Sequence, residues 1–317
     1  MSKEQTIPVV DLNDYTEGDE EAKEAFAQKI GDALRDLGFV AVEGHGVDKD
    51  LLYDTYEAFE EFFDLDVETK QQYEFPEGGR QRGYTSFGVE KAKDNEKPDL
   101  KEFWHLGRDL PEDHPMADRI PSNVWPDEEV SQLKERAQTL YKQMEASAET
   151  MLKAISLYLG QDENFLPDMI QDGNSIIRVI HYPVCDGFDE PGQMRAAEHE
   201  DINLITLLPE ATESGLELLD RNGEWIPIHS IEGQMIVDSG DMLSRITNDF
   251  IPSTTHRVVN PEGEPTRRYS MPFFVHPHPD YKLEVLESCV GEGETPKYDP
   301  ITAEDFLFER LKEIGLT

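Results

Sequence analysis

The chain has 317 residues and a formal net charge of −39, from 68 Asp and Glu against 29 Lys and Arg. A surface of that sign repels DNA, RNA and anionic membranes, so neither nucleic acid nor a membrane is an expected partner. Hydrophobic residues make up 37% and aromatics 9%, enough for a sizeable core and too much for a disordered chain.

Residues 7–12, IPVVDL, predict a short buried strand. An amphipathic helix follows over 19–37, where Ala22, Phe26, Ile30, Ala33 and Leu37 recur every three or four residues and Gly38 supplies the stop. FVAVEGHGV (39–47) reads as a strand closing on a glycine turn, and a helix over 48–63 opens at Asp48, a good N-cap. Residues 74–126 are rich in proline, glycine and charge without a clean period, and are expected to form a long lid or binding loop. A long helix over 128–159 carries the apolar stripe Leu133, Ala137, Leu140, Met144, Met151, Ile155 and Leu159.

From about 175 the pattern changes to short apolar runs: SIIRVIHY, INLITLL, LELLD, WIPI, QMIVDS, HRVVN and YSMPFFV. Turn signals such as Asp220-Arg221-Asn222-Gly223 and Asn260-Pro261-Glu262-Gly263 separate them, which predicts an all-β sandwich or barrel. A last helix is expected near 302–314, ending at Gly315. The reading is one structural unit, with a helical and loop region (1–126) packed on a core (127–317) of the long helix and the β-rich part.

Two cysteines, Cys185 and Cys289, are too few for a disulfide framework or a zinc cluster, and are expected as reduced thiols. The opening MSKEQTIPVVDL has no basic-then-apolar leader, and no window reaches 18 uninterrupted apolar residues. A soluble, cytoplasmic protein is expected, its oligomeric state open. The acidity also suits a salt-adapted source, because high ionic strength screens self-repulsion.

Among nine histidines, most are expected to be core or surface residues. His199-Glu200-Asp201 stands out: on a strand, residues i and i+2 share a face, with Cα atoms roughly 6.5–7 Å apart, close enough to converge on one metal. H-x-D alone is weak, and His278-Pro279-Asp280 is a second copy that reads as a loop after a strand. His256, opening the run HRVVN, distinguishes the first copy. Two histidines and one carboxylate form the facial triad of non-haem Fe(II) oxygenases, with positions left open for a chelating cosubstrate and O₂. Arg268-Tyr269-Ser270 follows; on a strand, the Arg fork and the Ser hydroxyl share a face and suit the far carboxylate of a dicarboxylic cosubstrate.

These motifs stand with IPVVDL (7–12), LGFVAVEGHGV (37–47), RGYTSFG (82–88), DLKEFW (99–104), RVIHYP (178–183), HEDINLITLL (199–208), GLELLDRNGEWIPI (215–228), GDMLSRITND (240–249), STTHRVVNP (253–261) and RYSMPFF (268–274). Together they resemble the 2-oxoglutarate/Fe(II)-dependent dioxygenases, in the branch similar to isopenicillin N synthase and the plant-type enzymes, over nearly the whole chain. The resemblance implies a mainly β fold with α: a double-stranded β-helix (jelly-roll, cupin-like) core with an N-terminal helical region and a C-terminal helix. It implies Fe(II) held by His199, Asp201 and His256, and 2-oxoglutarate anchored by Arg268 and Ser270. Tyr182 matches a position that often hydrogen-bonds the cosubstrate; where many relatives carry Asn two residues earlier, this chain has Ile180.

The implied activity consumes O₂ and turns 2-oxoglutarate into succinate and CO₂ while a small-molecule substrate is hydroxylated, desaturated or cyclised. Tyr84, Phe87, Arg178 and Phe274 are candidate substrate contacts. Two other readings share the motifs. One is an iron oxidase that works without 2-oxoglutarate, as isopenicillin N synthase and the aminocyclopropane carboxylate oxidases do. The other is a catalytically silent binding protein on the same fold, although all three ligand positions are filled here.

Overall fold

Helix-capping side chains mark the N-terminal elements. Strand β1 (Val9–Asp11) and a short helix α1 (Asn13–Thr16) precede α2 (Glu20–Leu37). The Asp19 carboxylate accepts the Ala22 N–H at 3.0 Å, satisfying one free donor of the first turn of α2. Gly38 closes α2 with φ of 72°, a left-handed value that disfavours any residue with a Cβ. Strand β2 (Phe39–Glu43) leads to α3 (Lys49–Phe63), capped by Asp48, and to α4 (Val67–Gln71), capped by Asp66.

The computed structural model describes residues 6–76, 79–90, 97–184, 193–260 and 266–313. Cys185, residues 261–263 of the expected turn and Gly315 lie outside them; Cys289 is a free thiol. Inside 74–126, expected as a loop, lie two strands, β3 (Gly83–Thr85) and β4 (Glu102–Gly107). This corrects the expectation. Every residue of β4 is buried, so no polar–apolar alternation marks it. Helix α5 (Leu133–Tyr158) starts later than expected, after turns over 127–132, and α6 (Phe165–Ile170) follows.

The β-rich part contains β5 (Ile176–Tyr182), β6 (Ala196–His199), β7 (Ile205–Leu208), β8 (Leu216–Leu219), β9 (Trp225–Pro227) and β10 (Met235–Ser239). Helix α7 (Asp241–Ile246) comes next, then β11 (His256–Val258), β12 (Arg268–Ser270) and β13 (Phe273–Val275). The run YSMPFFV divides at Met271-Pro272, where proline has no N–H for a ladder. A small pair, β14 (Lys282–Leu283) and β15 (Ile301–Thr302), precedes the last helix, α8 (Ala303–Glu313).

The large sheet runs β1-β2-β10-β7-β13-β5-β4-β3, with β12 also paired to β5; the second sheet runs β6-β11-β8-β9. Packed together they form the jelly-roll core. Each face of the large sheet has its own apolar core. On one, α2, α3 and α5 bury Phe26, Ile30, Phe59, Phe62, Met151 and Ile155 against Trp104, Ile177, Val179 and Phe273. On the other, Phe39, Phe103, Ile180 and Ile236 meet Leu216, Leu218 and Val258 of the second sheet. Covering both faces explains why β2 reads Phe-Val-Ala-Val without alternation. Among the described residues no helix is long and apolar enough to cross a membrane.

Register decides what faces the inner core. Arg268 pairs with Tyr182 and Ser270 with Ile180. Phe103 pairs with Ile180 and His105 with Arg178. Alternation then turns Arg178, Ile180 and Tyr182 inward beside Phe103, His105, Arg268 and Ser270. The intervening Glu102, Trp104 and His181 turn toward the helices.

Candidate metal centre and its two pockets

His199 ends β6 and His256 begins β11, and the two are direct cross-strand partners in the second sheet. Their rings lie 4.4 Å apart. Asp201 does not continue β6, as the strand reading of H-x-D expected. It sits in the following loop, where its carbonyl accepts the Asp241 N–H of α7 at 2.7 Å. Gly240 permits that approach, because a Cβ there would meet the Asn203 carbonyl oxygen at 2.3 Å and that of Asp201 at 2.9 Å.

One nitrogen or oxygen from each of His199, Asp201 and His256 falls within 4.8 Å of the others. Nε2 of His199 is 4.0 Å from Asp201 Oδ1, and Nε2 of His256 is 3.8 Å from it. These separations are too long for hydrogen bonds and leave space for a shared ion. Each ring is oriented through its other nitrogen: His199 Nδ1 donates to the Ala197 carbonyl at 2.7 Å, and His256 Nδ1 to the Thr254 carbonyl at 3.1 Å. That fixes the tautomer with both Nε2 lone pairs free to ligate. Burial, and then the adjacent His256, push the His199 imidazole down to about 4, so it is neutral at pH 7.

Asp201 is held just as tightly. The Thr206 hydroxyl donates to its Oδ2, leaving Oδ1 toward the histidines. Burial and the charge of Asp201 keep the nearby Asp238 carboxyl well above the usual carboxylate range. The donor set, two imidazoles and a carboxylate, fits Fe(II).

The triad lies where two cavities meet. The first is bordered by Tyr182, Arg268 and Ser270, together with all three triad residues. Arg268 is 2% exposed; it donates to Ser270 Oγ and to the Glu213 carbonyl, both at 3.1 Å, and lies 5.0 Å from the Tyr182 ring centre. Among the described residues no carboxylate pairs with it. A buried cation without a counter-ion points to an anionic ligand. The second cavity, of about 310 Å³, is bordered by Arg178, Phe274, His199 and Asp201. Arg178 lies over Phe103 and Phe274, 4.5 and 5.3 Å from their ring centres.

Two expected substrate contacts do not reach this cavity. Tyr84 sits on the helix-facing side of the sheet, where its hydroxyl donates to Glu102 within a buried cluster that includes Lys70 and His181. Alternation along β3 and β4 turns it away from the triad. Phe87 is 43% exposed and is not among the lining residues. The second H-x-D copy is a turn, with His278 Nδ1 accepting the Asp280 N–H at 3.1 Å and Asp280 paired to Arg119.

The sequence reading missed a charged cluster at the junction. Lys101 lies 2.7 Å from Glu90 and 2.9 Å from Asp99, and Arg178 is 3.1 Å from Glu90. Burial opposes the Glu90 charge, but Arg178 and Lys101 outweigh it and hold the carboxyl below the usual range. Arg178 Nε also donates to His105 Nε2 at 2.6 Å, while His105 Nδ1 donates to the Arg80 carbonyl at 2.7 Å. His276 completes the wall, and burial pushes its ring down to about 4.

Comparison with known proteins gives the family. Residues 7–128 match the family described as "non-haem dioxygenase in morphine synthesis N-terminal", and residues 173–277 match the 2OG-Fe(II) oxygenase superfamily. A 2-oxoglutarate-Fe(II) type oxidoreductase from Aspergillus fumigatus is 30% identical, over 98% of this chain and 94% of that one. The structure resembles a 2OG-Fe(II) oxygenase family protein from Caulobacter crescentus, with a TM-score of 0.88 and 40% identity over 98% of this chain and 100% of that one. It also resembles a full-length Neurospora crassa protein solved in complex with alpha-KG and thymine, with a TM-score of 0.86 and 30% identity over 98% of both chains.

Proposed function

The chain belongs to the 2OG-Fe(II) oxygenase superfamily, and from that premise we propose which residues run its reaction. The protein is a 2-oxoglutarate-dependent dioxygenase: it couples oxidative decarboxylation of 2-oxoglutarate, to succinate and CO₂, with oxidation of a small molecule. In our reading His199, Asp201 and His256 hold Fe(II). When bound, the metal supplies the redox chemistry that couples O₂ to both oxidations. Arg268 and Ser270 take the distal carboxylate of 2-oxoglutarate through a planar fork and a hydroxyl, with Tyr182 beside them. Arg178 and Phe274 face the substrate in the larger cavity. The apolar wall of buried Phe103 and Ile176 and half-buried Phe274 keeps bulk water from the reacting atoms.

One observation carries this reading: the triad stands at the junction of two cavities, and the smaller one holds a buried arginine with no carboxylate partner among the described residues. The Neurospora crassa protein binds thymine and 5-formyluracil, and we read the substrate here as a small polar ring of similar size. The motif order also supports the branch similar to isopenicillin N synthase, and the −39 charge supports a free cytoplasmic metabolite over a nucleic acid or membrane substrate.

The test is anaerobic addition of Fe(II) and then 2-oxoglutarate. A visible charge-transfer band, followed by O₂-dependent succinate release, is expected; His199→Ala loses both. Absence of band and succinate from the unaltered protein refutes the reading. Arg178→Met and Phe274→Ala are expected to raise the KM of the substrate while leaving substrate-free 2-oxoglutarate turnover intact.

A further inference from the structure

The inward face of β4, β5 and β12 is a grid of rows. One row is Phe103–Ile180–Ser270. Two residues along, Tyr182 pairs with Arg268, and Lys101 directly precedes Glu102, the partner of His181, so continuing that register by one residue brings Lys101 beside Tyr182. Two strand spacings put the Lys101 and Arg268 backbones roughly 10 Å apart. Both residues border the cavity that contains the triad, but only Lys101 also borders the substrate cavity. Lys101 therefore marks the metal end of the row and Arg268 the far end. A five-carbon dicarboxylate, about 5 Å between its carboxyl carbons, fits between two long basic side chains so placed.

The donors of Lys101 are only partly used. An ammonium has three N–H groups. Glu90 takes one at 2.7 Å and Asp99 another at 2.9 Å, which leaves a third among the described residues. The Phe103–Ile180–Ser270 row offers no donor at its metal end, since Phe103 and Ile180 are apolar. Asp99 also accepts the Ala197 N–H at 3.1 Å, tying Lys101 to the strand that ends in His199.

We propose that Lys101 is a positioning residue for the cosubstrate, donating its remaining N–H to the 2-oxo-acid end that chelates the metal while Arg268 and Ser270 hold the other end. This rests on the distal-anchor reading of Arg268. The pair of residues then measures the ligand: a 2-oxo acid at one end and a carboxylate at the other. The flanking Glu90 and Asp99 keep the ammonium charged in spite of burial.

The experiment compares 2-oxoglutarate with 2-oxovalerate, which keeps the chelating end and lacks the distal carboxylate. Affinities are measured on the Mn(II)-loaded protein. Lys101→Met is tested beside Lys101→Met/Glu90→Gln, which relieves the carboxylate that the single change strands. Both acids are expected to weaken by the same factor, roughly 10- to 100-fold for one charge-assisted hydrogen bond, with Mn(II) affinity kept. Their affinity ratio stays that of the unaltered protein. The anaerobic Fe(II)–2-oxoglutarate band is expected at shorter wavelength, because a cation no longer stabilises the acceptor orbital. Arg268→Met should weaken 2-oxoglutarate alone and collapse the ratio. Affinities within about twofold of the unaltered protein, with an unmoved band, overturn the proposal. So does a collapsed ratio in the Lys101 variants, which would put Lys101 at the distal end. If instead Arg268→Met leaves the ratio intact, the anchor reading has failed, and the Lys101 variants report separately on the chelating end.

Discussion

Replacing Arg268 by methionine separates a ligand-binding cation from a structural one. The guanidinium is 2% exposed, and its contacts within the described protein are a carbonyl, a hydroxyl and an aromatic ring. Two hydrogen bonds, at about 1 kcal/mol each, and a ring contact of about 0.5–2 kcal/mol offset a desolvation penalty of several kcal/mol. Those terms nearly cancel. Arg268→Met should therefore change the unfolding free energy of the ligand-free protein by no more than about 2 kcal/mol. Ligand binding responds differently, because truncating one partner of a buried charge pair costs about 2–5 kcal/mol, or roughly 30- to several-thousand-fold in Kd. Calorimetric titration with 2-oxoglutarate and thermal melts with and without it measure both quantities. At a hundred times its Kd the ligand should stabilise the unaltered protein by about 2.7 kcal/mol, and at the same concentration the variant by less than about 1 kcal/mol. A variant that loses more than about 4 kcal/mol of stability yet binds 2-oxoglutarate normally would refute the argument and make Arg268 a structural ion.

Other outcomes follow from the site and its surroundings. His276 and His105 are buried with folded-state pKa values below the ordinary 6.5, His276 at about 4. The unfolded chain binds more protons between those values, so their contribution is full above pH 6.5 and is lost as pH falls toward 4. Denaturant titrations of the metal-free protein across that range should show a shallower acid decline for His276→Asn; an equal or steeper decline would contradict this. Tyr84→Phe should leave the substrate KM unchanged and lower stability by about 1 kcal/mol, since it removes one hydrogen bond to Glu102. A raised KM would return Tyr84 to the substrate site. Because the net charge is −39, raising salt from 0.1 to 1 M should raise Tm as the screening length drops from about 10 to 3 Å. A falling Tm would show that self-repulsion is not the dominant surface term.

The readable parts of this chain were those whose causes are local. Asp48 and Gly38 announce helix ends through a hydrogen bond and a backbone angle confined to a few residues. His199, His256, Arg268 and Ser270 could be singled out because their chemistry is specific and their order is fixed. Strand β4 was hidden because its cause is remote. Glu102 is paired with Lys70 and hydrogen-bonded to His181, and Lys101 is paired with Glu90 and Asp99, so a segment rich in charge lies fully buried. A window of sequence sees those charges and not their partners. Tyr84 was misread for the same reason, since the face it takes depends on β4. Asp201 was placed on a strand because two-residue spacing suggests one; its real support is the N-terminus of α7, four strands further along the chain.

The pairing of early with late strands also governs how the chain is made. Val42 of β2 lies opposite Met235 of β10, and Trp104 of β4 opposite Val179 of β5. On a ribosome adding about 5–20 residues per second, β2 waits roughly 10–40 s for β10 to emerge. During that interval a nascent chain displays apolar strand edges that could pair with a neighbour. Its acidic side chains, by mutual repulsion between copies, keep such chains apart until the late strands arrive.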